Sequence, residues 1–296
     1  MDAQARMIRQ FDLALPEGIT LACRAAGQGP VRVMLLHGFP EAAFVWDEVM
    51  LAVAPQAACV APNLRGYIGS TAPTDPKSYR AKYLVADLVA AIESLGAPLD
   101  LLVAHDWGGA LAWNLAAQRP DLLRRLLMIN SPHPATFLRE LKGNAEQQAA
   151  SAYMTFLCRP DAEQLLAEDD FRRLWPFLGE PEWLTAAVRD QYRQAWTNQG
   201  RLLTGPLNYY RASPLRPPTG PDDALHRVEL PDAAVTIRVP TTLLWGERDK
   251  ALLPALLDGL ERWVPNLQIQ RVPQASHWIV HEQPARVAEL IGSMLR

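Results

Sequence analysis

The residues with the clearest catalytic pattern are the HDWGG sequence at positions 105–109. They follow an apolar run typical of a buried strand and precede an amphipathic segment at residues 111–119. A strand, a sharp turn lined by small residues and a helix form a nucleophile elbow. The apex is Asp106, where such elbows usually carry serine. An aspartate there attacks an electrophilic carbon and becomes an ester, which indicates alkyl-transfer hydrolysis. The alternative is that Asp106 only caps the following helix.

An ester on an aspartate is stable unless a base activates water beside it and another group orients that base. Asp249 and His277 are the candidates, because each follows a later apolar strand segment. Glu247 and His281 are nearby competitors for the acid and the base. Asp249 could also serve as a turn or helix cap, and His277 as a structural loop residue. Their positions after the strand ends favour Asp249 as the acid and His277 as the base.

The elements that position these residues alternate between strands and helices. Short apolar segments predict strands at residues 31–36, 57–61, 99–104, 126–129, 241–245 and 267–272. Helical spacing predicts helices at residues 79–95, 111–119 and 252–263, and a terminal helix from about residue 284. This alternation predicts an α/β fold, a mostly parallel doubly wound sheet whose ligands bind at the carboxyl ends of the strands.

The alternation stops between residues 129 and 241. Residues 131–236 are predicted to form helices rich in Trp, Tyr, Leu and Arg. We interpret them as an inserted helical cap (lid) domain, with residues 1–130 and 237–296 forming the core domain. A lid of this kind excludes water and shapes the pocket. An independent second domain is the alternative, but both flanks rejoin one sheet.

Composition is typical of an ordinary soluble enzyme. The net charge of −3 over 296 residues predicts no nucleic-acid partner, and the absence of a polybasic cluster or long apolar stretch predicts no membrane partner. The three cysteines, Cys23, Cys59 and Cys158, are far apart and lack the spacing of metal ligands, so we expect reduced thiols and no metal site. No apolar signal-peptide core is recognisable near the N-terminus, which favours a cytoplasmic location.

The order of these parts resembles the α/β-hydrolase fold, and the local motifs resemble those of its soluble epoxide hydrolases. HGFPE at residues 37–41 is similar to their oxyanion-hole turn, and HDWGG at residues 105–109 is similar to their elbow. RGY at residues 65–67 with Ser70 is similar to another turn, although Ile68 stands where glycine is usual. The chain order of nucleophile, acid and histidine is also that of this fold. The resemblance extends from about residue 31 to the terminal helix.

The resemblance implies an oxyanion hole made by the backbone N–H groups of Phe39 and Trp107. It also implies a cis peptide bond before Pro40. His37 and His105 neighbour the site and are interpreted as structural hydrogen-bonding residues.

The resemblance further implies two lid tyrosines that hydrogen-bond to the epoxide oxygen as the ring opens. Tyr153 and Tyr210 match the family's segments. By this match Tyr210 rather than Tyr209 is the pocket residue, and since adjacent helical residues point about 100° apart, only one of the two can face the site. The alternative is that these tyrosines only pack within an aromatic-rich lid. The predicted substrate pocket comprises Phe39, Trp107, Tyr153, Tyr210 and Trp278.

These residues together predict hydrolysis of a small hydrophobic epoxide to a vicinal diol, with water as the second substrate and no cofactor. The protein would act as a monomer or homodimer. The main alternative is a haloalkane or haloacid dehalogenase with the same Asp nucleophile and His base. Haloalkane dehalogenases usually have Asn where Phe39 stands, and fluoroacetate dehalogenases have Arg where Trp107 stands. A non-catalytic ligand receptor is a further alternative.

Overall fold

The computed structural model describes residues 7–296, and its centre is one eight-stranded sheet. The strands are β1 (Arg9–Ala14), β2 (Thr20–Ala26), β3 (Val31–Leu36), β4 (Ala58–Pro62), β5 (Leu101–His105), β6 (Leu126–Ile129), β7 (Thr241–Gly246) and β8 (Leu267–Val272). Their spatial order is β1-β2-β4-β3-β5-β6-β7-β8. The pairs β1–β2 and β2–β4 are antiparallel, and all other pairs are parallel.

Thirteen α-helices lie within residues 7–296. They are α1 (Asp47–Val53), α2 (Ala81–Leu95), α3 (Asp106–Gln118), α4 (Pro134–Gly143), α5 (Ala145–Ala150), α6 (Tyr153–Leu157), α7 (Ala162–Phe171), α8 (Trp175–Leu178), α9 (Ala186–Thr197), α10 (Thr204–Ala212), α11 (Asp232–Val235), α12 (Ile279–Glu282) and α13 (Pro284–Met294). Helices α1 and α13 pack on one face, and α2 and α3 pack on the other. Because both faces are covered, β5 and β7 are buried at every residue, which explains the apolar runs at residues 101–104 and 243–245 within them.

The predicted doubly wound sheet is therefore confirmed, but the sequence interpretation missed its first two strands. Strand β1 is almost entirely exposed, so its sequence lacks the apolar run by which the central strands were recognised. Strand β2 alternates between partly and fully buried residues, and several of its residues are small, which weakens the period-two signal. Both lie at the antiparallel edge of the sheet.

The helix predicted at residues 252–263 is wrong. The chain there forms two short 3₁₀ turns, Pro254–Leu257 and Leu260–Arg262. Pro254 lacks a backbone N–H, and Gly259 has a φ of +70°, which lies outside the helical region. The apolar residues of this stretch are still buried, so their spacing reflects a packed loop.

Eight helices and no strand lie between β6 and β7, a region that the structure describes completely. Their apolar side chains form a separate cluster that includes Leu166, Tyr192 and Leu207. The same cluster includes Phe39 and Trp278 from two loops at the carboxyl ends of the strands. The helical region therefore packs directly over that end of the sheet. No helix within residues 7–296 combines the length and apolar character needed to cross a membrane.

Candidate active site

The elbow between β5 and α3 presents Asp106 as the first residue of the helix. Asp106 has a φ of +49°, in the left-handed region that non-glycine residues seldom adopt. A Cβ on Gly108 would lie 2.6 Å from the His37 carbonyl oxygen, and a Cβ on Gly38 would lie 2.2 Å from Asp106 Oδ1. The close approach of the two turns therefore requires glycine at both positions.

A backbone N–H donates to the Asp106 carboxylate. The Phe39 N–H lies 2.7 Å from Asp106 Oδ1, and the Phe39–Pro40 peptide bond is cis. Trp107 is the second residue of α3, where a backbone N–H has no acceptor within its own helix. The Phe39 amide thus contacts the nucleophile, and the role of the Trp107 amide as second oxyanion donor stays a prediction.

The structure brings Asp106, Asp249 and His277 together from three different strand ends. His277 Nε2 lies 3.7 Å from Asp106 Oδ2, and His277 Nδ1 lies 2.6 Å from Asp249 Oδ2. A carboxylate only accepts, so Nδ1 carries the proton and Nε2 faces Asp106. Asp249 is buried and also accepts from Asn130 Nδ2 at 2.8 Å and from the N–H groups of Ala251 and Leu252.

This arrangement sets the charges of the site. Burial alone would lower the pKa of His277, but the carboxylates of Asp249 and Asp106 outweigh burial and raise it to about 9. Burial alone would raise the pKa of Asp249, but the charge of His277 and its hydrogen bond hold it below its ordinary value. Both shifts favour the charged forms of His277 and Asp249, so these two groups stabilise each other as an ion pair in the free site.

The competing acid and base have other partners. Glu247 pairs with Arg271 at 3.1 Å, on the outer side of the loop that carries Asp249. His281 Nε2 lies 2.9 Å from the Tyr192 hydroxyl and 3.3 Å from Glu41. Neither competitor contacts Asp106.

Two tyrosines of the helical region face the nucleophile. Tyr153 begins α6 and Tyr210 lies in α10, with ring centroids 6.2 Å apart. Tyr210 also packs edge-on against the Trp107 indole, with ring centroids 5.1 Å apart. Burial raises the pKa of both phenols, so both hydroxyls stay protonated at neutral pH. The Tyr209 hydroxyl instead donates to the Arg65 carbonyl at 2.9 Å.

Two cavities, of about 330 and 320 Å³, meet at Asp106, Tyr153 and Tyr210, which line both. The first also contacts Phe39, His277 and Trp278, and the second is mainly apolar, with walls that include Trp107, Leu111, Phe137 and Leu252. Each is about twice the volume of roughly 150 Å³ that accommodates benzene. The predicted pocket residues thus all line one or both cavities, with the nucleophile where the cavities join.

Sequence reasoning missed several polar residues around the triad. Asn130, with a φ of +36°, donates to Asp249, and the Ser131 hydroxyl donates to the Asp106 carbonyl at 2.8 Å. Both directly follow β6, and a polar pair after an apolar strand was the available signal. His105 lies between Glu41 Oε2, at 3.0 Å, and the His277 carbonyl, at 2.9 Å, in the structural role expected of it.

Comparison with known proteins agrees with this geometry. The profile of the alpha/beta hydrolase fold family matches residues 31–284. AB hydrolase superfamily protein YfhM of Bacillus subtilis is 35% identical, over 94% of this chain and 95% of its own length. Epoxide hydrolase 3 of Xenopus tropicalis is 32% identical, over 89% of this chain and 71% of its own. The crystal structure of a Bacillus megaterium epoxide hydrolase with an inhibitor superposes with a TM-score of 0.87 at 32% identity, covering 96% of this chain and 99% of that one. This chain therefore belongs to the epoxide hydrolase family of the α/β-hydrolase fold.

Proposed function

We propose that the protein hydrolyses epoxides to vicinal diols through a covalent ester on Asp106. The observation that carries this proposal is the pair of protonated phenols, Tyr153 and Tyr210, on the same cavity wall as a carboxylate nucleophile. An opening epoxide develops an alkoxide, which needs a proton or a strong hydrogen bond at that place. Family membership supports the same reaction.

In the first step Asp106 Oδ2 attacks one ring carbon and the carbon–oxygen bond of the epoxide breaks. The oxygen takes a proton from a phenol, and Asp106 becomes a hydroxyalkyl ester. Asp106 Oδ1 already accepts from the Phe39 amide at 2.7 Å, which supports Oδ1 as the carbonyl oxygen of that ester. The elbow geometry reduces the reorganisation that this attack requires.

In the second step His277 takes a proton from water, and the water oxygen attacks the ester carbon. The oxyanion on Oδ1 is held by the amides of Phe39 and Trp107. Ester formation removes the negative charge of Asp106, one of the groups that raise the pKa of His277. The pKa of His277 therefore falls once the ester has formed, and its proton passes through solvent to the phenolate left by the first step. The neutral imidazole is then available as the base. Collapse of the intermediate releases the diol, which takes the proton from His277, and leaves Asp106 as a carboxylic acid that contains a water oxygen. That acid returns its proton to His277, which restores the starting charges of the site.

We further propose that residues 131–236 act as the lid and the rest of the chain as the core domain. The phenols come from this segment, whereas Asp106, Asp249 and His277 come from the core. Substituents on both ring carbons can be accommodated, because the two cavities share only Asp106, Tyr153 and Tyr210 and are otherwise lined by different residues. We propose that the substrates are a small hydrophobic epoxide and water.

Dehalogenation is disfavoured by the two phenols beside the nucleophile. A halide leaving group needs N–H donors and no proton, and the Trp107 indole is the candidate donor. Tyr153 and Tyr210 line both cavities together with Asp106 and offer a proton or a hydrogen bond, which an epoxide oxygen needs and a halide does not.

Product analysis tests the proposed reaction directly. Purified protein is incubated separately with an aryl epoxide, a haloalkane and a haloacetate, and diol and free halide are measured. We expect diol from the epoxide and no halide from the other two. Halide release without diol would contradict the proposal and assign the site to dehalogenation.

A further inference from the structure

A second buried polar cluster lies beside the triad, and it is centred on Glu41. Glu41 Oε2 lies 3.0 Å from His105 Nδ1, and Oε1 lies 3.2 Å from the Tyr192 hydroxyl and 3.3 Å from His281 Nε2. Burial alone would raise the pKa of Glu41, but hydrogen bonds from His105 and His281 hold it well below its ordinary value. A buried carboxylate is tolerated only with such partners, so its surroundings are strongly constrained.

The partners of Glu41 come from separate parts of the molecule. Tyr192 lies on α9 of the lid, His105 directly precedes Asp106, and His281 lies four residues after His277. Glu41 itself lies two residues after Phe39 in the oxyanion turn, where its N–H donates to the Gly38 carbonyl at 3.1 Å. The Glu41 carboxylate thus links lid helix α9 to the oxyanion turn, to the residue before Asp106 and to helix α12, which follows His277.

Two tryptophans of the lid bind the same loops. The Trp196 indole N–H donates to the Pro40 carbonyl at 2.6 Å. Trp183 stacks on the His281 ring, with centroids 4.2 Å apart and planes 4° from parallel. Lid helix α9 and the segment before it therefore rest on the oxyanion turn and on α12, with Tyr192 between the two contacts.

The Glu41 cluster is connected, through a neighbouring residue or a single hydrogen bond, to the Phe39 amide and to His277. Pro40 and Glu41 directly follow Phe39, whose amide lies 2.7 Å from Asp106 Oδ1. His105 Nε2 lies 2.9 Å from the carbonyl of His277. A movement of the turn by about 1 Å would take the amide out of hydrogen-bond range of the oxyanion.

We propose that Tyr192 is a positioning residue for ester hydrolysis. Through Glu41 it holds the Phe39 amide and the His277 loop in the geometry that the tetrahedral intermediate requires. This inference rests on the proposed two-step function. Ester formation develops no oxyanion on Asp106 and uses no base, so it depends little on this cluster.

The test is Tyr192→Phe, which removes the hydroxyl and keeps the ring packed edge-on against Phe44 at 5.0 Å. Rapid mixing with an aryl epoxide, quenching and intact-protein mass measurement give the separate rates of ester formation and ester hydrolysis. We expect hydrolysis to slow about tenfold or more, the effect of one hydrogen bond to a charged group. Ester formation should stay near the wild-type rate, so the ester accumulates, and kcat and KM fall together.

Tyr209→Phe is the matched control. It removes a different lid-to-core hydrogen bond, from the Tyr209 hydroxyl to the Arg65 carbonyl at 2.9 Å, and this hydroxyl does not contact Glu41. This control variant should leave the ratio between the rates of ester formation and ester hydrolysis unchanged. Trp196→Phe removes the bond to Pro40 and should shift that ratio in the same direction as Tyr192→Phe, which provides a second test if the first variant folds poorly.

Equal slowing of both steps, a raised KM without accumulated ester, or no change would overturn the role of Tyr192 and leave the proposed function intact. Failure of the wild-type protein to form diol from any epoxide would instead overturn the proposed function itself.

Discussion

The core side and the lid side of the site are held in place by different interactions. Asp106, Asp249 and His277 stand at strand ends, fixed by glycine-dependent turns and by hydrogen bonds such as the 2.6 Å contact between His277 and Asp249. Tyr153 and Tyr210 are held mainly by edge-on aromatic contacts with one another and with Phe39 and Trp107. Polar networks require defined geometry, whereas aromatic packing tolerates adjustment. We therefore expect core substitutions to abolish steps and lid substitutions to change their rates.

The largest effect is expected for Asp106→Asn. Asparagine tolerates the left-handed φ of this position, so the elbow should keep its shape. Diol formation should fall about 10³-fold or more, because the variant lacks the nucleophile. Thermal unfolding, measured alongside, should resemble that of the wild type. Substantial turnover by a folded Asp106→Asn variant would contradict the assignment of Asp106 as the nucleophile.

The charge network of the core side predicts a pH-dependent stability. The pKa of His277 is raised from 6.5 to about 9 in the folded protein, so its proton stabilises the fold fully below pH 6.5 and this contribution is lost as the pH rises through about 9. The free energy of unfolding should decrease by on the order of 3 kcal/mol over that window. Urea titrations at several pH values measure this decrease. His277→Gln should remove it, and Tyr210→Phe should preserve it.

Alanine substitutions at two glycines compare how tightly the elbow and the lid are packed. Gly108→Ala places a Cβ 2.6 Å from the His37 carbonyl oxygen and should destabilise the protein by about 2–3 kcal/mol. Gly143→Ala, at the end of α4 in the lid, has open space around the new Cβ and should change stability by less than about 1 kcal/mol. Urea unfolding of both variants gives the difference. Equal losses would show that the lid is packed as tightly as the elbow.

The smallest effect on rate is expected from substitution of the adjacent lid tyrosines, Tyr209 and Tyr210. Tyr210→Phe should slow ester formation about tenfold, because Tyr153 still offers one hydroxyl to the alkoxide. Tyr209→Phe should slow it less than about threefold, since its hydroxyl donates to the Arg65 carbonyl. Pre-steady-state measurement of the ester distinguishes the two. A larger loss in Tyr209→Phe would exchange their proposed roles.

The core side was accessible to sequence reasoning for a physical reason. In a parallel sheet every strand ends at the same edge, so polar residues after the apolar segments of β5, β7 and β8 have to meet. The positions of these residues after the strand ends, together with the places where the resembling fold carries its acid and base, predicted that Asp249 and His277 would join Asp106. The lid tyrosines had no comparable geometric signal, and only the family resemblance distinguished Tyr153 and Tyr210 from other aromatic residues.

Other features of the structure have no local sequence pattern from which they could be predicted. Glu41 and Tyr192 are separated by 151 residues, and the pairing of their side chains depends on how the lid docks. His281 was considered only as a competitor of His277, whereas it contacts the lid. The loop at residues 252–263 has helical apolar spacing, but Pro254 and Gly259 prevent a helix. Apolar spacing records burial, and it does not by itself identify the backbone conformation.

The covalent ester on Asp106 is the central claim, and one turnover in ¹⁸O-labelled water tests it most directly. The enzyme is mixed in excess with an aryl epoxide, and the diol and the peptide containing Asp106 are analysed by mass spectrometry. The account predicts ¹⁸O in the Asp106 carboxylate and none in the diol. Label in the diol with an unlabelled Asp106 would contradict it and indicate direct attack of water on the epoxide.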